Sequence, residues 1–384
     1  VFGTAEFGVD YFGTGGTVAS TSIGRAMRFL PALFTASKQN QLYDDISTEL
    51  IAGQVALDLD LDGAKMSFSG VMKNPRAVSP FVDFVAPFLR LIYEDGTEDY
   101  EQVGLFCLLP SKADSAPGGT VQELQGVDLC WLLDADHSTA TTDMTLGANV
   151  VSEAVADLAS GGITRHRIPA SSYVSTKAVS WPPGTSRLRR VNDRLMMAGY
   201  YTICFDRHGI AMSLPYNDLS DVEPAVVYST AEGTRLVPPT SDEPDSTGIC
   251  NRVVVVGTDP SQPPIYAVRE NTDPLSPVSF DNLGGIWLSV TREVSQLQDQ
   301  AAADALAEEM LRNGASYLRH ITLQTLPDPY RQPREVYQLD ISNSAGVVAD
   351  GKWRCSGWTL SLDWASPVMV HEIARTQAFV SNTP

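Results

Sequence analysis

The stretch 251–325 limits the possible folds most, because it sets several strands around a single helix. It opens with an apolar run, VVVV at 253–256, flanked by Gly257 and Pro260. A short β-branched run bounded by turn residues predicts a buried strand rather than a helix. A second strand over 264–269 is expected to pair with it. The intervening GTDPSQP is turn chemistry, in which proline fixes φ while glycine and aspartate tolerate turn dihedrals. Past a proline-containing loop and Gly284-Gly285, Trp287, Ser289, Thr291 and Glu293 alternate with Ile286, Leu288, Val290 and Arg292. That alternation predicts a strand with two different faces. A helix over 297–312 follows, rich in Ala, Leu, Glu and Met, with Gly314 where a left-handed C-terminal cap is expected. A further strand runs to Thr325.

A length of 384 residues exceeds what one growing core sustains, so two or three domains are expected. There is no run of eighteen apolar residues, and the first residues do not place a basic region before an apolar one. Neither a membrane span nor a secretory signal is expected. Cys107, Cys130, Cys204, Cys250 and Cys355 lie far apart without a CxxC pair, which predicts reduced, packed thiols rather than a disulfide framework.

Along the chain, residues 1–37 are rich in Gly, Thr and Ser with scattered aromatics (Phe2, Phe7, Tyr11, Phe12) and read as an N-terminal arm or extension. From 38 to 137 the signals are almost all β. Val55, Leu57, Leu59 and Leu61 alternate with polar or small residues, Asp62-Gly63 turns the chain into 66–72, and 88–93, 103–109 and 120–133 supply further strands. A small closed or nearly closed barrel is expected there. Residues 138–247 read as a mixed α/β domain. Val150, Val151, Ala154, Val155 and Leu158 recur at helical spacing before Gly161-Gly162, and Ser186 caps a second helix with Leu188, Val191, Leu195 and Met196, ending at Gly199. A hairpin of 200–205 and 210–214 around Asp206-Arg207-His208-Gly209 follows, then an extended connection over 217–247. Residues 248–384 read as a second barrel with one long helix at about 297–313, adding strands at 335–341, 352–363 and 368–375 and a bulge at Gly357.

The order of strand, proline-rich crossover, GG-strand, DQAAA helix and LPDP-strand resembles the tail hub proteins of long-tailed phages, distant relatives of the late control D family and the contractile-tail baseplate hub. In the first half, Asp45-Ile46-Ser47, Gly53-Gln54-Val55, Ser67-Phe68-Ser69-Gly70, Ala86-Pro87-Phe88-Leu89-Arg90, Tyr93-Glu94-Asp95-Gly96, Gly104-Leu105-Phe106 and Gly126-Val127-Asp128-Leu129 look like the first barrel of such proteins in actinobacterial siphophages. The helix, aromatic strand and DRxG turn resemble their middle domain. The resemblance covers roughly residues 40–375 and implies a mainly β fold with an α+β insert: two hub-type β-barrel domains plus a small mixed α/β domain. It also implies a structural virion protein at the tail tip or baseplate, made in the host bacterial cytoplasm. Such a chain forms a homotrimer whose paired barrels imitate a sixfold ring. Its partners would be the distal tail protein ring, the tape measure protein and other tail tip or minor tail proteins, with DNA only as passing cargo in a gated channel.

Lys+Arg 27 against Asp+Glu 46 gives a formal charge of −19, which disfavours binding to nucleic acid or acidic membranes. In a hub, acidic side chains could line a channel and keep passing DNA from sticking; ordinary solubility accounts for the same balance. Chemistry is hard to place. Asp58, Asp60, Asp62 and Gly63 open like a calcium loop, but Ser69 stands where a bidentate Glu is needed. The glycines at 13, 15 and 16 lack the Lys-Ser/Thr of a phosphate loop. His137, His166, His208, His320 and His371 are isolated, and no G-x-S-x-G elbow occurs. No catalytic, cofactor-binding or metal residue is assigned, no cofactor is expected, and the chain is read as not an enzyme. Two alternatives remain: a cell-wall or carbohydrate-active hydrolase, which needs an acidic pair in a cleft, and a carbohydrate-binding host-adhesion module. For the latter, Trp353 and Trp358 are the best exposed-strip candidates, although their spacing favours core or interface packing.

Overall fold

A computed structural model describes residues 26–378, apart from 60, 62, 74–78, 117–118, 218, 231–235, 246–248, 259–264, 275, 295–296, 298–299, 315, 343–347 and 365–367. The glycine-bearing segment at 13–16 and two aspartates of the calcium-like loop, Asp60 and Asp62, lie outside the described residues.

Strand Met66–Lys73 shows why the sheet forms here. Met66, Phe68, Gly70 and Met72 point inward while Ser67, Ser69 and Lys73 face water, the period of two that a half-buried strand requires. It pairs antiparallel with Leu50–Asp58, Phe68 opposite Val55. From this pair a 15-stranded sheet extends both ways. On one side come Gly119–Val127, Phe106–Leu109, Phe84–Tyr93, Ala26–Ala36 and Leu42–Asp45; on the other come Val348–Ser361, Met369–Ala378, Ser316–Thr325 and Leu236–Asp245.

The two halves of the chain therefore meet within one sheet. Val348–Ser361 lies antiparallel to Leu50–Asp58, with Trp358 opposite Leu57 and Leu360 opposite Val55. The register of Val348–Ser361 on Met369–Ala378 shifts between Cys355 and Gly357, the bulge read from sequence. A Cβ at Gly357 would come within 2.6 Å of the Leu57 carbonyl oxygen, so only glycine lets the backbones approach there. Beneath the seam one hydrophobic cluster unites Leu33, Val55, Phe68 and Phe106 with Ile321, Leu339, Trp353 and Ile373. Fully burying a side chain such as Phe106 or Ile373 is worth roughly 1.5–3 kcal/mol. Among the described pairings the path has two free ends, and no closed barrel is seen.

Several sequence expectations need correction. Ala26–Ala36, assigned to the N-terminal arm, is an 11-residue strand along Phe84–Tyr93, because Ala32, Leu33 and Ala36 have apolar faces to bury. The strand expected over 120–133 stops at Val127: buried Asp128 accepts the Cys130 N–H and starts the helix Leu129–Ala135. The connection 217–247 contains Val226–Ser229, parallel to Val336–Ser342, and Leu236–Asp245, antiparallel to Ser316–Thr325.

Helices Val150–Ser160 and Arg187–Met197 are capped by Asn149 and Ser186, and glycines at φ +77° (Gly162) and +75° (Gly199) follow them. Their apolar stripes join Leu129 and Leu133 against Phe84, Ala86 and Phe88. Val85, Leu89 and Leu91 of the same strand face the main core, which explains why it is apolar on both sides.

The strands of 248–384 do not all share one sheet. Arg252–Gly257 sits between antiparallel Tyr266–Glu270 and parallel Ser289–Val294 in a separate three-stranded sheet. Helix Gln300–Gly314 packs on the first two strands over a core of Val253, Val255, Ala267, Ala303 and Ala307. A parallel third strand needs a crossover, which the loop between Glu270 and Ser289 provides. Gly314 is not in the left-handed region; it is needed because a Cβ there would lie 2.1 Å from the Cys250 sulfur.

Candidate functional site

Residues 326–335, LPDPYRQPRE, join Ser316–Thr325 to Val336–Ser342. Three prolines fix φ and remove donors, so neither helix nor strand can form. Such a loop belongs on the surface, yet Pro327, Asp328, Pro329, Arg331 and Pro333 are buried. Arg334 takes a φ of +66°, unusual outside glycine. The buried polar groups are answered from within and from three directions.

Within the loop, Asp328 Oδ1 accepts the Tyr330 N–H at 3.1 Å, and the Arg331 guanidinium lies 3.2 Å from Asp328 and 3.0 Å from Glu335. Toward the first half, the Tyr330 hydroxyl donates to Glu101 Oε1 at 2.7 Å. Toward the middle unit, Arg207 donates to Glu101 Oε2 at 3.1 Å and to the Pro329 carbonyl at 3.2 Å, with its guanidinium 4.8 Å from the Tyr330 ring centre. Arg334 donates to Thr202 Oγ1 at 3.0 Å and stacks over Tyr201. Toward the C-terminal strands, Arg331 faces the Tyr337 ring; the Tyr337 hydroxyl lies 3.3 Å from His371 Nδ1, and Thr325 Oγ1 lies 2.9 Å from His371 Nε2.

Burial sets the electrostatics. It holds the His371 imidazole down to about 3, with Arg331 adding to the effect. Burial, then the hydrogen bond to Glu101, pushes the Tyr330 phenol up. Burial also raises the Glu335 carboxyl against the pull of Arg331. Burial works against the charge of Arg331, but Glu335 and Asp328 outweigh it and keep the guanidinium firmly protonated. Charges so enclosed hold segments together; removing one partner leaves another buried and unpaired.

The turn carrying Arg207 is built to dock. Asp206 Oδ1 accepts the His208 and Ile210 N–H groups at 2.9 and 2.8 Å, and Gly209 at φ +70° leaves no room for a Cβ beside Leu105. His208 Nδ1 lies 3.2 Å from Gln102 Oε1, and burial, then Arg207, lowers the imidazole to about 4. A second charged cluster lies within the middle unit, where Arg187, Arg190 and Arg194 converge on Asp157. Burial favours the neutral Asp157 acid, but hydrogen bonds from Arg190 and Arg194 prevail and keep its pKa low.

Of the residues weighed from sequence, His208 and His371 lie at this junction and the others fall elsewhere. Trp353 and Trp358 are 1% and 4% exposed and pack in the shared core, as the preferred reading of their spacing expects; the alternative of an exposed adhesion strip is corrected. Asp58 ends a strand with its side chain in water. All five cysteines are free and buried. No cluster of metal-ligating side chains occurs among the described residues, and no helix among them is long and apolar enough to cross a membrane. The junction itself went unassigned; its one local signal is the alternation of three prolines with Tyr330, Arg331 and Arg334.

No family model and no curated protein sequence matches the chain. Solved structures do. The tail protein from Neisseria meningitidis MC58 superposes with a TM-score of 0.66 at 13% identity, covering 90% of this chain and 97% of that one. The 43 kDa tail protein of prophage MuSo2 from Shewanella oneidensis gives 0.62 at 10% identity over 91% and 98%. Prophage tail protein gp18 from Listeria monocytogenes EGD-e gives 0.52 at 8% identity over 89% and 94%. The chain thus shares the fold of these tail proteins over about nine-tenths of its length.

Proposed function

We propose that the chain is a structural component of a phage tail, placed at its distal end as the tail hub. Three copies form a ring that joins the tail tube and distal tail protein to the tip and gates the DNA channel. The tape measure protein and other tip proteins are its neighbours, and the first (38–137) and last (248–384) strand-rich segments supply the repeated wall of the ring. The observation that carries this reading is the match of nearly the whole chain to nearly the whole of two tail proteins. The seam between Leu50–Asp58 and Val348–Ser361 suits the role, because a ring wall needs both halves of each copy to move as one.

Native mass measurement of the purified chain tests the ring. Three copies per particle are expected; a stable monomer that cleaves peptidoglycan would favour the hydrolase reading instead.

A further inference from the structure

Among the described residues, the small sheet ends in an edge guarded only by the charges of Arg292 and Glu293. There Ser289–Val294 pairs on one side only, and five of its six residues are exposed. Sheets normally guard such edges with proline, bulges or covering groups. Other edges of this chain show those devices. Leu236–Asp245 carries Pro238, Pro239 and Pro244 and a register shift. The carbonyls of Tyr266 and Val268 accept hydrogen bonds from the Gln300 and Arg269 side chains. Ser289–Val294 has no proline and an unbroken register, and Ile286, Leu288 and Val290 beside and within it are exposed.

A second open edge lies at the far end of the main sheet. Leu42–Asp45 is exposed along its whole length, with Tyr43 at 60%; a register shift interrupts its pairing with Ala26–Ala36, but no proline or further strand covers it among the described residues. Its sequence LYDD complements VTREV. Antiparallel pairing with Asp44 opposite Arg292 sets Leu42 opposite Val294, Tyr43 opposite Glu293 and Asp45 opposite Thr291. The acidic edge Glu98–Gln102 is a poorer match, because Glu98 is held by Arg90 and Glu101 by Arg207 and Tyr330.

We infer that Ser289–Val294 of one copy pairs with Leu42–Asp45 of the next, so that copies of this chain join edge to edge. Two different patches in contact make a head-to-tail joint, which closes into a ring when the rotation allows. The inference rests on the ring proposed above and names its seam.

Charge reversal tests it. Arg292→Asp sets like charges across the joint and is expected to weaken assembly about tenfold per seam; adding Asp44→Arg to the same chain restores it. Both sites are exposed, so the melting temperature of the unassembled chain, read at a concentration too low for the ring, should not move. In a separate variant, Asp44→Cys with Arg292→Cys should form a disulfide between copies, the native cysteines being buried. A wild-type ring that R292D leaves intact, with no cross-link in the double-cysteine variant, overturns this seam and leaves the ring standing. A wild type that stays monomeric at every concentration overturns ring and seam together.

Discussion

The unit at 251–314 and the loop at 326–335 are neighbours in sequence and opposites in construction. The first has a regular sheet, a long helix and a small core of its own, yet its edge strand is exposed. The second has no regular structure, yet it is buried and holds three parts of the chain through Tyr330, Arg331 and Arg334. Regularity records how a segment satisfies its own backbone. Centrality depends on what its side chains reach.

The largest effect should come from the loop. Arg331→Ala leaves Asp328 and Glu335 buried without their cation, so a loss of about 3–5 kcal/mol is expected in denaturant unfolding. A loss under about 1 kcal/mol would place the loop outside the stabilising core. The next effect is a pH dependence. His371 is held down to about 3, so its contribution is complete above the usual value near 6.5 and is lost as pH falls toward 3, where the unfolded chain takes up a proton the folded one refuses. Between pH 7 and 5 this amounts to about 2 kcal/mol, which His371→Gln should remove. Asp128, pushed up to about 6 by burial, acts in the opposite direction as pH falls below 6. The informative quantity is therefore the difference between the wild-type and H371Q stability curves; parallel curves would show that His371 does not resist protonation.

On the other side of the comparison, Val253→Ala should cost about 1–2 kcal/mol. Its effect should appear as faster hydrogen exchange in Arg252–Gly257 and Tyr266–Glu270, with Met66–Lys73 unchanged. Equal acceleration in both sheets would merge the two units into one cooperative block. Smallest of all, Tyr266→Ser on the exposed face should change stability by less than about 0.5 kcal/mol.

The same contrast explains what could be read from sequence. Strands at 253–256 and 66–72, the helices stopped by Gly162 and Gly199, and the bulge at Gly357 all rest on local periodicity or backbone geometry, and each is present. The separate sheet of 252–294 was hidden because strand period says nothing about which strands pair. Ala26–Ala36 was missed because its partner, Phe84–Tyr93, lies about 55 residues away in sequence. The junction was illegible for a similar reason: Glu101, Arg207 and Tyr330 are separated by 106 and 122 residues or more, and only the fold brings them together. Trp353 and Trp358 lie in the core, the reading that their uneven spacing favours over an exposed strip.

Electron microscopy of tail particles containing this chain tests the central claim most directly. Three copies in a ring at the distal tip, with the seam between Leu50–Asp58 and Val348–Ser361 inside each copy, is the expected result. Particles whose tips lack the chain, or carry it as a single copy beside the channel, would contradict it.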